Sequence, residues 1–127
     1  MKRVSGFLFL FLLIGLPGFA ANYRIEVLQV GRVPFFDLAL NALKGEMAKG
    51  GLVEGQNVTF NRTIIDADAE AGTWEKVKLL LKIKSASAKI AEAKPDLAIT
   101  IGTAATKYGK DKIIAAGVPV VFTYVAM

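Results

Sequence analysis

The sequence predicts a three-layer α/β/α fold, a parallel sheet of about four strands with helices on both faces. Three observations carry that expectation. Four short runs rich in β-branched residues alternate with three longer runs of helical periodicity, and the connections between them are short. The stretch "LAITIG", residues 97 to 102, has no polar alternation apart from Thr100, the mark of a strand buried on both faces of a parallel sheet. Right-handed crossovers then send the helices to the two faces.

The elements follow in order. "YRIEVLQV", residues 23 to 30, mixes β-branched and apolar residues and ends at Gly31, as a first strand does. Pro34 opens a helix in which Phe36, Leu40, Leu43 and Met47 recur at the spacing of one helical face, and Gly50 and Gly51 end it. Gly55 and Asn57 turn the chain into "VTFNRTII", residues 58 to 65, the second strand. The polar connection "DADAEAGTWE" leads to a long helix, with Thr73 as its expected cap and Pro95 stopping it after about Ala93. Its apolar stripe reads as Val77, Leu80, Leu81, Ala88 and Ala91. After the third strand a helix is expected from about Thr103 to Ala116. Gly117 closes it, and "VPVVFTYV", residues 118 to 125, is the fourth strand.

The chain has 127 residues, 54% of them hydrophobic, which suits one domain. Residues 1 to 20 stand apart from it. Met1-Lys2-Arg3 is a basic start, Val4 to Leu16 is almost unbroken Leu, Phe and Ile, and "GLPGFAAN" adds a helix breaker followed by small residues. That is the pattern of a secretory signal peptide, with Gly18 and Ala20 preceding a cut at Ala21. The apolar run falls short of the roughly 20 residues that span a bilayer. No cysteine adjoins the cut, so no lipid anchor is indicated. The expectation is a periplasmic or secreted protein, residues 21 to 127, with no stable membrane insertion after cleavage. A parallel sheet needs both faces covered, and no helix follows the fourth strand, so these residues are expected to be the front part of a longer protein.

Cysteine and histidine are both absent. That removes the thiolate–imidazole pair, the Ser-His-Asp triad and the usual ligands of transition metals. No G-x-G-x-x-G follows the first strand and no G-x-x-x-x-G-K-[ST] occurs, which disfavours dinucleotide and P-loop chemistry. No cofactor, no metal and no catalysis are expected. Without Lys2 and Arg3 the chain keeps 14 basic against 11 acidic side chains. The densest basic cluster, "KVKLLLKIK" at 76 to 84, has no interleaved aromatics to stack on bases, so it reads as a solvated helix face and no nucleic-acid partner is expected.

In an open parallel sheet, ligands bind in the crevice at the carboxyl ends of the strands. Gly102 permits a sharp exit from the third strand, Thr103 offers a hydroxyl, and the small Ala104 and Ala105 leave the first-turn N–H groups uncovered. A carboxylate or phosphate is one natural guest there. The other reading makes Thr103 an ordinary N-cap. Arg32 is a candidate for pairing with a ligand anion, and Phe35 for covering an apolar ligand body, with Phe36 in the helix core instead. Asp66 and Asp68 are candidates for an ammonium group or cation. Thr123 and Tyr124 complete the set at the end of the fourth strand.

The combination of "GGLVEGQNVTF", "KPDLAITIGTAATK" and "GVPVVFTYV" resembles the N-terminal part of ABC transporter substrate-binding proteins of the type I periplasmic binding protein fold, in the branch that includes tryptophan- and tyrosine-binding members. The resemblance covers about residues 23 to 126. It implies a Rossmann-like first lobe of a two-lobed protein that closes on a small ligand such as an amino acid and delivers it to an ABC permease in the inner membrane. It maps the ligand-facing loops onto Gly102-Thr103-Ala104-Ala105 and Phe122-Thr123-Tyr124, with Thr103 and its neighbouring N–H groups holding the carboxylate. Two other readings remain open: the extracytoplasmic ligand-sensing domain of a signalling receptor, and a flavodoxin-like cofactor-binding enzyme.

Overall fold

The structure, a computed structural model, describes residues 22–67 and 72–123. The signal-peptide reading of residues 1 to 20, Asp68 and Tyr124 lie outside the described residues. Seven elements alternate along the chain: β1 (Tyr23–Val30), α1 (Pro34–Lys49), β2 (Val58–Ile65), α2 (Thr73–Ala93), β3 (Leu97–Ile101), α3 (Thr103–Ala115) and β4 (Val120–Thr123). The strands form one parallel sheet in the order β2-β1-β3-β4.

Helices cover both faces, as the alternation predicts. Ile25 and Val27 of β1 and Ile99 and Ile101 of β3 meet Leu40 of α1 on one side. Leu28 and Val30 meet Ile83 and Ile90 of α2 and Ala105 and Ile113 of α3 on the other. β1 therefore carries apolar residues on both faces, which is what a central parallel strand needs. In α1, Leu40 is buried and Phe36, Leu43 and Met47 pack against the same cluster, so the expected face is the observed one.

In α2 the face is the expected one only in part. Of the expected stripe, Ala91 is buried and Leu80 and Ala88 are half-buried, but Val77 and Leu81 are exposed, Leu81 at 60%, and Ile83, Ser87 and Ile90 are buried in their place. The cause lies in α3. A Cβ on Gly109 would sit 2.9 Å from Leu28 Cδ2 and 3.7 Å from both Ile83 and Ser87, so the two helices meet closely where small residues face each other. That contact selects the stripe through Ile83 and Ser87 over the one through Leu81.

The helix ends also depart from expectation in detail. Gly72, not Thr73, holds the N-cap position of α2, and its carbonyl accepts the Lys76 N–H at 3.1 Å. At the other end Lys94 adopts the left-handed conformation, φ 46°. Arg24 from the neighbouring β1 then donates to the carbonyls of Ala93 at 2.7 Å and Lys94 at 2.9 Å, which satisfies acceptors that a helix terminus leaves open. The Arg24 N–H also donates to Asp96 Oδ2 at 2.8 Å, tying β1 to the approach to β3. β4 begins two residues later than expected, because Pro119 contributes only its carbonyl, to Ala98 N–H at 2.9 Å.

Candidate functional site

β1 and β3 lie side by side, and the helices that follow them leave to opposite faces of the sheet. Their carboxyl ends therefore form the topological switch point, where open α/β sheets bind ligands. Both strands end in a glycine of positive φ, Gly31 at +96° and Gly102 at +100°. Gly31 N–H donates to the Ile65 carbonyl at 2.8 Å, and Gly102 N–H to the Thr123 carbonyl at 3.0 Å, so each exit is tied to an outer strand. The Phe36 ring covers both glycines, lying 3.8 Å from a Cβ placed on Gly31 and 3.6 Å from one on Gly102.

At the β3–α3 turn, Gly102 is the N-cap residue and Thr103 the first helical residue; no side chain caps the helix, so Thr103 is not the N-cap. The Gly102 carbonyl instead accepts the Thr106 N–H at 3.2 Å and the Thr106 hydroxyl at 3.0 Å. Thr106 has one hydroxyl proton and spends it on Gly102, so the buried Thr100 hydroxyl is the donor in the 2.9 Å contact between the two threonines. This chain of bonds fixes the turn from beneath. Gly102 is buried, and Ala105 is 0% exposed inside the core formed with Leu28 and Ile113. The expectation that Ala105 faces a ligand is thus corrected: it has no surface to offer. Thr103 is exposed, Ala104 is half-buried, and Thr123 is half-buried at the end of β4.

Arg32 follows β1, as expected, and its Nε donates to Asp66 Oδ1 at 2.5 Å, so its guanidinium is paired at the end of β2. Asp66 accordingly faces a cation of this chain. Phe35 is 59% exposed on the first turn of α1, beside Val33 and Leu38, which are exposed too. The predicted residues thus separate into a β3–β4 group, Thr103 and Thr123, and a β2 group, Arg32 and Asp66.

Sequence reasoning missed three further residues in the β2 group. Gln29 is buried, its Nε2 donating to the Gly31 carbonyl at 2.8 Å and its Oε1 accepting from both Nε, at 3.0 Å, and Nη2 of Arg62. Arg62 Nη2 also donates to Asp37 Oδ1 at 2.6 Å, in the first turn of α1. A cavity of about 310 Å³ lies there, lined by Gln29, Arg32, Val33, Pro34, Asp37, Arg62 and Ile64. A signal existed in the alternation. Ile25 and Val27 of β1, and Val58 and Phe60 of β2, pack on the α1 face, and the next residues of that face are Gln29 and Arg62.

Among the described residues, no group of three or more Asp and Glu side chains is placed to hold a metal ion. No helix among them is long and apolar enough to cross a membrane. No family model, curated protein or solved structure matches the chain.

Proposed function

We propose that this chain is the first lobe of an extracytoplasmic solute-binding component of an ABC uptake transporter, non-catalytic and taking a small carboxylate-bearing ligand such as an amino acid. The observation that carries the reading is the switch point itself. Two positive-φ glycines end adjacent central strands, and α3 starts there with Thr103 exposed and no side chain capping its first turn. N–H groups at such a helix start, together with the helix dipole, favour a carboxylate. Phe35, exposed at the first turn of α1, gives an apolar or aromatic ligand body a surface to lie on. Binding works by hinge closure of this lobe against a second one, with the ligand biasing an open-to-closed equilibrium, and an inner-membrane permease receives the ligand.

The test is calorimetric titration of the whole protein with a panel of amino acids, paired with thermal melts at saturating ligand. Saturable heat, and a rise in Tm that grows with ligand concentration, are expected. Thr103→Val is expected to weaken binding about tenfold, in line with loss of one hydrogen bond to a charged group. Absence of both heat and Tm change across the panel overturns the proposal.

A further inference from the structure

We infer that the cavity between the first turn of α1 and the carboxyl end of β2 is a binding site for a small zwitterion, whose carboxylate is taken by Arg62 and whose ammonium group is taken by Asp37. Arg62 and Asp37 lie on the β2 side of the molecule, whereas Thr103 and Thr123 end up on the β3–β4 side, so the two sites adjoin through the first turn of α1 but take a carboxylate on different residues.

Two violations of local rule point to it. On the sheet face beneath α1, Ile25 and Val27 of β1 are followed by Gln29, and Val58 and Phe60 of β2 by Arg62, where an aliphatic side chain would continue the face to Ile64. Placing an amide and a guanidinium there costs free energy unless both are paired, and such departures concentrate at functional sites. Both are paired, in a way that fixes Arg62 in place. Gln29, 2% exposed, holds the guanidinium with its oxygen and the Gly31 carbonyl with its nitrogen. Arg62, with 29% of its side chain exposed, thus lines the cavity with its guanidinium held in one position by Gln29.

The cavity, about 310 Å³, falls in the range of small-molecule sites. Val33, Pro34 and Ile64 give it an apolar wall, and Arg62 and Asp37 give it one charge of each sign. Those two charges already hold each other at 2.6 Å, and that decides the ligand class. A simple anion on Arg62 breaks that pair and returns Asp37, 64% exposed, to water, and a simple amine on Asp37 takes the partner from Arg62, 29% exposed. A zwitterion replaces both halves of the pair, so it regains two ionic contacts for the one it breaks. Arg32 and Asp66, 2.5 Å apart, add a second pair of opposite charges beside the site.

The probes are L-alanine, propionate, which lacks the amine, and ethylamine, which lacks the carboxylate. They are titrated into the full ¹⁵N-labelled chain while the Arg62 Nε–H signal, assigned through its loss in Arg62→Gln, is followed. L-alanine is expected to shift that signal saturably, with propionate and ethylamine each about tenfold weaker or more. Asp37→Asn, on an exposed helix position, is expected to reduce L-alanine to the level of propionate. Thr103→Val is expected to change nothing at this signal. The proposal is overturned if L-alanine gives no saturable shift, in which case Arg62 is only a strut between β2 and α1. It is equally overturned if propionate matches L-alanine in the unaltered chain, or if Asp37→Asn leaves their difference intact.

Discussion

A methyl group added at Gly102 would lie 3.0 Å from the Val30 carbonyl oxygen, on a backbone held at φ +100°. That conformation is one side chains rarely adopt, and the close neighbour is backbone, so Gly102→Ala is expected to destabilise by about 1–3 kcal/mol. Gly45 is the control. It lies within α1 with nothing within 4 Å of a Cβ, and Gly45→Ala is expected to stabilise by about 0.5–1 kcal/mol. Urea denaturation of the two variants reads both signs. Gly102 was legible in the sequence because a β-branched run broke at a glycine before a helical stretch. Ala105 was not, since small residues after a turn look the same whether they uncover backbone or pack beneath it; only the arrival of Leu28 and Ile113 decides. Arg32 was legible as a cation after β1, but its pairing was not. Its partner, Asp66, comes from the parallel register that pairs Val30 with Ile65, and the register is invisible until β1 and β2 are known to be neighbours.

At the scale of elements, the strands and helices were legible almost to their ends, and the orientation of α2 was not. Leu79, Leu80 and Leu81 are consecutive, so an apolar stripe can be drawn through any of them, and the deciding residue, Ser87, is polar. Its hydroxyl turns back to the Lys84 carbonyl at 3.0 Å, which lets it pass as a small core residue beside Gly109. Ile83→Ala is therefore expected to cost about 2–5 kcal/mol, and Leu81→Ala no more than about 0.5 kcal/mol, as measured by chemical denaturation. Equal costs would mean that the helix face is wrongly assigned. The four lysines at 76, 78, 82 and 84 are all exposed, in keeping with a solvated face. The β2-side cavity went unseen at this scale because Gln29 and Arg62 lie on different strands, and each alone is an ordinary polar interruption.

Across the whole molecule, the two ends of the sheet do different work: the carboxyl end carries the candidate sites, and the amino end carries the contacts that latch the sheet shut. Tyr23 lies at the latched end, and burial, with the negative charge of Asp96 adding to it, pushes its hydroxyl above the ordinary value of 10.0. Above pH 10 the unfolded chain has given up that proton while the folded chain still holds it. Unfolding then releases a proton, so stability falls as pH rises through the folded value and is unaffected by this group below pH 10. Melting temperatures followed from pH 8 to 11 by circular dichroism are expected to decline beyond about pH 10, with a shallower decline in Tyr23→Phe. The strand order has a further consequence, for synthesis. β1 meets β2 across pairs such as Glu26 and Asn61, 35 residues apart, but its contacts beside β3, such as Arg24 with Asp96, span 72 residues. Doubling a loop costs only about 0.6 kcal/mol, so the delay is one of time rather than energy. A chain emerging from the ribosome can dock β2 early, yet it must carry the other edge of β1 bare until β3 has been made. That edge, flanked by Ile25, Val27 and Leu28, is open to mispairing throughout the interval. A nascent chain that is kept unfolded until its synthesis is complete escapes this hazard, whereas one that folds as it emerges meets it with its central strand.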